Sequence, residues 1–196
     1  MKTRIQKKAK EIWSELVEVR RHLHEHPELS FQEFETAKYI QNQLNRLGIP
    51  FQVMAQTGIV ALIEGRSGAK TIALRADTDA LPIQEKNQTD YCSKNLGIMH
   101  ACGHDVHSAS LLGTAAILNE LKDEFTGTVK LIFQPGEEKL PGGASLMIKA
   151  GALDNPRPDG ILGQHVFPEL AAGKVGFRSG KYMASADEIY LKVIGK

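Results

Sequence analysis

Apolar residues recur every three or four positions along the N-terminal part of the chain, which is the period of an amphipathic helix. One sustained stripe consists of Ile5, Ala9, Ile12, Leu16, Val19 and Leu23. Pro27 is expected to end this first helix, because proline disfavours helical geometry at the residue before it. The sequence SFQE at residues 30–33 has the form of a capping box and predicts a second helix, which Gly48 is expected to end.

Short apolar runs typical of buried strands follow these two helices. The runs are residues 51–54, 59–63, 71–76, 128–133 and 160–166, with weaker candidates at 175–178 and 189–194. A third helix is predicted from Asp105, as its N-cap, to about residue 122, and a short one from Gly143 to Gly151. Helices that alternate with apolar strands predict an α/β layered fold in which a mostly parallel central sheet lies between helices.

Composition and charge exclude several classes of protein. The 196 residues are 42% hydrophobic and 24% charged, as in an ordinary globular protein, and no apolar run approaches membrane-spanning length. A net charge of +1 gives no reason to expect nucleic acid or a membrane surface as partner. No apolar segment of a secretory signal follows the basic N-terminus, so Cys92 and Cys102 are expected to be reduced thiols in a cytoplasmic protein.

Side chains that bind metals follow the ends of several predicted strands. They are Asp77 and Asp79, Glu137 and Glu138, His165, and the pair Cys102 and His104 just before the third helix. In open α/β sheets, ligands bind beyond the carboxyl ends of the strands. Cysteine, histidine and carboxylate are also the preferred ligands of zinc and related ions. The sequence therefore predicts a metal site at this edge of the sheet.

Three further histidines, His22, His24 and His26, lie near the end of the first predicted helix. Side chains two positions apart on a helix point to different faces, so a shared metal ion is the less favoured interpretation. Basic side chains at the C-terminal end of a helix, where they interact favourably with its dipole, explain the cluster equally well.

The adjacent carboxylates Glu137 and Glu138 point to a particular chemistry. Two carboxylates in one cleft repel each other unless a cation separates their roles. One could hold the metal while the other takes a proton from the attacking water, which is the chemistry of amide or ester hydrolysis. Neither a G-x-S-x-G motif nor a glycine-rich phosphate loop is present in the sequence.

Four motifs in order along the chain resemble one family of enzymes. They are RADTDALP at residues 75–82, MHACGHD at 99–105, FQPGEE at 133–138 and QHV at 164–166. The sequence resembles the amidohydrolase branch of the aminoacylase/carboxypeptidase-type zinc metallopeptidases. That branch includes hippurate hydrolases, N-acyl-amino-acid hydrolases, auxin-conjugate hydrolases and N-acetyldiaminopimelate deacetylases. Related peptidases carry a His-x-Asp motif where this chain has Arg75, which places it in the cysteine-using branch.

The resemblance implies a role for each motif residue. The implied ligands of two divalent ions (zinc, manganese or cobalt) are Cys102, His104, Glu138 and His165. Cys102 would be a thiolate shared between the ions, and Glu137 would be the general base and acid. Asp77 would orient a ligating side chain. His107 and Asp79 lie close to these residues in sequence, but no direct contact with metal is assigned to them.

The resemblance also implies a domain organisation. Family members are considerably longer, with a catalytic domain that a smaller lid and dimerisation domain interrupts and that then resumes to supply another histidine ligand. No histidine follows His165 in this chain. Residues 1–184 are therefore expected to be the N-terminal part of the catalytic domain, and 185–196 the start of the first lid strand. On this interpretation the chain alone would be weakly active or inactive, and its parent enzyme would dimerise through the lid.

The leading hypothesis is metal-dependent hydrolysis of the amide bond of N-acyl amino acids. Water activated by the two ions would attack the carbonyl, and Glu137 would pass its proton to the leaving amine. The alternatives are a sibling dipeptidase or N-acetyldiaminopimelate deacetylase activity, or a non-catalytic remnant that binds a metal or a partner.

Overall fold

Helices and strands alternate along the computed structural model, which describes residues 1–182, 189 and 191–195. The helices are α1 (Lys2–Glu11), α2 (Trp13–Glu25), α3 (Phe34–Arg46), α4 (His104–Glu120) and α5 (Gly143–Lys149). The strands are β1 (Phe51–Met54), β2 (Gly58–Glu64), β3 (Arg66–Asp77), β4 (Thr126–Gln134) and β5 (Gly160–Gly163). None of the helices in these described residues is long and apolar enough to cross a membrane.

One five-stranded sheet organises the fold, in the order β1-β2-β4-β3-β5. β3 pairs in parallel with both β4 and β5, whereas β2 is antiparallel to β1 and to β4. The sheet is therefore mixed, and parallel pairing is confined to β3, β4 and β5. Residues 55–57 alone connect β1 to β2, and so short a connection permits a hairpin but not the crossover that parallel strands need.

Helices cover apolar side chains of the central strands on both faces of the sheet, as the predicted layered α/β class requires, whereas Ile161 and Leu162 of the edge strand β5 are exposed. On β2, Ile59, Ala61 and Ile63 face a core built with α2, α3 and α4. The intervening Val60 faces the other side, where it joins a smaller cluster with Met147 of α5. This alternation follows from the two-residue period of a strand.

Two predictions about the N-terminal helices differ from the structure. The apolar stripe predicts one helix, but the chain forms α1 and α2 with a break at Ile12. The predicted capping box is wrong: Ser30 donates its hydroxyl hydrogen bond to Asp79, and α3 begins only at Phe34. The carboxylate of Glu28 instead accepts the backbone N–H groups of Glu35 and Thr36. A tertiary contact of Ser30 thus overrides the local capping pattern.

The chain divides into two units, Met1–Val166 and Phe167–Lys196, and every helix and strand named above belongs to the first. In the second unit, residues 175–178 form no strand, so that weaker prediction is wrong. Val175 and Phe177 are both exposed. Of the predicted strand at 189–194, Tyr190 lies outside the described residues and the remainder is not in a strand. The predicted domain boundary between residues 184 and 185 also lies outside them.

Candidate metal centre

The carboxyl ends of β3, β4 and β5 lie side by side because these strands are parallel. Asp77 at the end of β3 is in register with Gln134 at the end of β4, and Arg75 is in register with Gly163 of β5. The polar residues predicted to meet at this edge therefore come from three neighbouring strand ends and from the start of α4.

His104 lies at the centre of these residues. It is the first residue of α4 and follows Gly103, whose φ of +86° is a conformation that favours glycine. Its Nδ1 lies 2.9 Å from the Asp79 carbonyl oxygen and 3.2 Å from Asp79 Oδ1. Since both neighbours are acceptors, Nδ1 carries the proton and donates it. The lone pair of Nε2 then points away from Asp79, and this fully buried atom has no hydrogen-bond partner among the described residues.

Three overlapping groups of side chains around His104 offer ligand atoms within 4.8 Å of one another. The groups are Cys102, His104 and His165; Asp77, His104 and His107; and His104, Glu137 and Glu138. His104 belongs to all three. The structure therefore brings together every residue for which the sequence predicts a role at the metal site.

Cys102 and His165 form the outer side of the cluster. Cys102 Sγ lies 3.3 Å from His165 Nε2. His165 Nδ1 lies 2.6 Å from the carbonyl oxygen of Val166, to which it donates, so Nε2 is the nitrogen free to bind an ion. Burial and the negative charges of Glu138, Glu137 and Asp77 raise the pKa of the Cys102 thiol to about 12. A divalent cation reverses this effect, because it stabilises a thiolate that bare carboxylates disfavour.

Glu137 and Glu138 lie on the loop that follows β4. The carboxylate atom Glu138 Oε1 lies 3.9 Å from His104 Nε2, and it too has no hydrogen-bond partner within the described part of the chain. Burial and the nearby charges of Asp77 and Glu138 raise the pKa of the Glu137 carboxyl. The donor set fits a divalent ion, since a buried imidazole nitrogen and a buried carboxylate oxygen lack other partners and face each other.

Asp79 connects His104 with the Glu137–Glu138 loop. Besides its contacts with His104, its Oδ2 accepts the backbone N–H of Glu138 at 3.0 Å and the hydroxyl of Ser30 at 2.7 Å. Burial alone would raise the pKa of Asp79, but the hydrogen bonds from His104, Glu138 and Ser30 outweigh it and lower the pKa to about 2. Asp79 is therefore a carboxylate that stays charged and fixes its neighbours.

Asp79, rather than Asp77, contacts His104, and the orienting role of Asp77 stays a prediction. Asp77 is paired with the guanidinium of Arg75, and its Oδ2 lies 3.8 Å from Nδ1 of His107. Both aspartates follow the same strand two positions apart, so the sequence gives no basis for distinguishing them.

His107 contributes more than the sequence predicts. It lies one turn after His104 on α4, is fully buried, and accepts the backbone N–H of Val166 at its Nε2 at 3.1 Å. That contact holds the segment that carries His165. The three-residue spacing from His104, which places both side chains on one face of the helix, was the available signal.

A second buried polar cluster joins α2 to the start of α4. His24 Nδ1 lies 2.7 Å from Asp105 Oδ2, and His24 Nε2 lies 3.1 Å from Glu85 Oε1. Arg20 Nε also contacts Asp105 Oδ2, at 2.9 Å. Asp105 is therefore not the N-cap of α4, as predicted, but a buried partner in its first turn, while Gly103 occupies the N-cap position. The polar partners of His24 are two carboxylates and Arg20. This agrees with the interpretation that His22, His24 and His26 do not share a metal ion.

His24 is expected to make stability depend on pH. The hydrogen bond to Asp105 raises the pKa of His24, burial opposes it, and Glu85 raises it further; Arg20 and the ring edge of Tyr91 face the same imidazole. Because the folded-state pKa lies above the unfolded value, the stabilisation is complete below the ordinary histidine pKa of about 6.5 and is lost as pH rises through the raised value. We expect His24→Gln to lower the free energy of unfolding more at mildly acidic than at alkaline pH, as measured by urea denaturation. A penalty that does not change with pH would contradict this assignment.

An α/β domain that gathers imidazole, thiol and carboxylate groups at the carboxyl ends of its parallel strands has the architecture of a metal-dependent hydrolase. Residues 73–191 match the model of peptidase family M20/M25/M40, and the chain belongs to that family. This family is one of hydrolases and peptidases, so the resemblance carried by the four sequence motifs is confirmed.

Known relatives give the same assignment. The chain is 42% identical over 196 residues to an N-acyl-L-amino acid amidohydrolase of Geobacillus stearothermophilus, a match that covers 100% of this chain and 52% of the relative. It is 47% identical over 183 residues to an N-acetyl-L-cysteine deacetylase of Bacillus subtilis, which covers 93% of this chain and 43% of that protein. The chain thus spans about half the length of the curated relatives it matches.

A solved structure shares the fold. The crystal structure of the Bacillus subtilis YXEP protein, described as a dinuclear metal binding peptidase from the M20 family, aligns with a TM-score of 0.79 and 47% sequence identity. The alignment covers 84% of this chain and 46% of that one. The layered α/β class predicted from the sequence is thereby confirmed.

Proposed function

We propose that the protein takes part in metal-dependent hydrolysis of the amide bond of N-acyl amino acids. The observation that carries this proposal is the fully buried Nε2 of His104, which faces Oε1 of Glu138, neither atom having a hydrogen-bond partner among the residues that the structure describes. The named activities of the two relatives, an N-acyl-L-amino acid amidohydrolase and an N-acetyl-L-cysteine deacetylase, support an N-acylated amino acid as substrate.

Cys102, His104, Glu138 and His165 would hold two divalent ions. Their mixed sulfur, nitrogen and oxygen donors suit zinc, manganese or cobalt. The ions would polarise the amide carbonyl and make the attacking water acidic enough to react near neutral pH. Asp79 keeps the imidazole of His104 in the tautomer whose unprotonated Nε2 faces Glu138, and His107 holds the backbone next to His165.

Glu137 would move the protons of the reaction. Its carboxyl lies beside the ligand atoms, and its raised pKa brings it closer to the working pH, where a group can both accept and return a proton. It would take a proton from the attacking water and deliver it to the nitrogen of the leaving amine. Glu138 is assigned to the metal instead, because its Oε1 faces His104 Nε2 at 3.9 Å.

A substrate panel tests the proposal. The 196-residue chain is purified without chelator and assayed with zinc, manganese or cobalt on N-acetyl and N-benzoyl amino acids, N-acetylcysteine included. Because this chain alone is expected to be weakly active, we expect slow hydrolysis that a chelator removes and added metal restores, and that a Cys102→Ala and His104→Ala double variant lacks. Hydrolysis unaffected by chelator and by the double substitution would overturn the proposal. Stoichiometric metal binding without hydrolysis of any substrate would favour the non-catalytic alternative.

A further inference from the structure

A buried carboxylate that the proposed reaction does not use lies behind the metal centre. Glu33, just before α3, has no exposed surface. Its Oε1 accepts the backbone N–H of Gly136 at 2.7 Å, and its Oε2 accepts the hydroxyl of Thr57 at 2.9 Å. Burial of a carboxylate is unfavourable unless such partners compensate. The contact with Gly136 matters most, because Gly136 directly precedes Glu137.

Phe31 adds a second contact with the same glycine. Its backbone has a φ of +66°, which is uncommon for a residue with a bulky side chain. Its ring packs so closely on Gly136 that a Cβ built there would lie 2.2 Å from the ring atom Cε1. An aromatic residue in a strained backbone conformation is retained where the surrounding structure requires it.

Ser30 completes the connection through Asp79. The Ser30 hydroxyl and the Glu138 N–H are both donated to Asp79 Oδ2. The segment at residues 30–33 therefore fixes the chain on both sides of Glu137, at Gly136 directly and at Glu138 through Asp79. None of these contacts involves the Glu137 carboxylate itself, which remains available for proton transfer.

We propose that Glu33 is a positioning residue that, together with Phe31, sets where Glu137 and Glu138 lie in the metal centre. This inference rests on the proposed function. Gly136 has a φ of +53° and no side chain to restrict it, so without the Glu33 acceptor the loop would sample other conformations. Ligands and bases act efficiently only when neighbouring groups hold them close to the productive geometry.

Three variants of the chain test the inference by cobalt titration, followed through the absorption of the bound ion. Glu33→Ala removes the acceptor and is expected to weaken cobalt binding by about tenfold to a hundredfold, the usual effect of removing such an outer partner. Glu33→Gln is expected to restore most of the affinity, because an amide oxygen still accepts from Gly136 while its NH₂ group donates to Thr57. Glu28→Ala is the matched control: it removes two backbone contacts at the start of α3 and should lower Tm without changing cobalt affinity.

Steady-state kinetics and a substitution at Phe31 provide two further tests of the inference. In the hydrolysis assay, Glu33→Ala should lower kcat with KM unchanged. If Glu33→Ala fails to fold, Phe31→Ala replaces it, since it removes the ring from Gly136 and leaves the acceptor in place, and it should also weaken cobalt binding. Equal affinities for wild type and these variants, or equal losses in Glu33→Ala and Glu28→Ala, would overturn the positioning role alone. A wild-type chain that binds no cobalt would overturn the metal centre itself.

Discussion

Glu137→Gln is expected to lower the rate of amide hydrolysis by about a hundredfold to ten-thousandfold, the usual contribution of a general base. The substitution keeps the size of the side chain but removes its ability to accept a proton. Because Glu137 is the more exposed member of the pair while Glu138 lies against His104, the metal content of the variant should match that of the wild type. Steady-state kinetics and elemental analysis of the same preparation measure the two effects separately.

Glu138→Gln is the matched control for that prediction. The same chemical change one residue later replaces a charged oxygen that faces His104 Nε2 with a neutral group. We expect this variant to lose metal as well as activity, and added metal to restore part of the rate. The same metal loss in both variants would mean that the roles of the two glutamates have been divided wrongly.

Local sequence patterns predicted most of the elements of the fold. The helical period of α2 and α3 and the apolar runs of β1 to β4 are properties of consecutive residues, so they can be recognised without tertiary information. The antiparallel pairing of β2 with β4 is not visible in local patterns, because these strands are far apart in sequence and meet only in the folded sheet. The overridden capping box at Ser30 shows the same limit, since its hydroxyl is used by Asp79, 49 positions away.

The candidate site shows where sequence reasoning ends. Strand ends and motifs located the ligand-type residues, but the partners of those residues come from distant parts of the chain. His24 meets Asp105 across 81 positions, and Glu33 meets Gly136 across 103. Asp77 and Asp79 look alike in sequence, and only the path of the chain after β3 decides which one contacts His104. Local patterns therefore identify ligands more readily than the groups that orient them.

His104→Ala is expected to have the largest effect on metal binding. His104 is the one residue shared by all three groups of ligand atoms among the described residues, and its Nε2 is fully buried. Its removal also leaves the Asp79 carboxylate with one hydrogen bond fewer. Since Asp79 holds the backbone of Glu138, the substitution is expected to affect the position of a second metal ligand as well. We expect the variant to retain almost no metal after dialysis.

Elemental analysis and thermal unfolding measure this loss independently. A ligand at a hundred times its Kd stabilises the folded state by about 2.7 kcal/mol, so wild-type protein should show a higher Tm with added zinc or manganese. His104→Ala should show no such rise. His22→Ala alters an exposed histidine outside the metal centre and should behave as wild type. Circular dichroism checks that each variant is folded before metal is added. Wild-type metal content in folded His104→Ala would show that the ions bind elsewhere. That result would also contradict the assignment of Cys102, Glu138 and His165 as ligands.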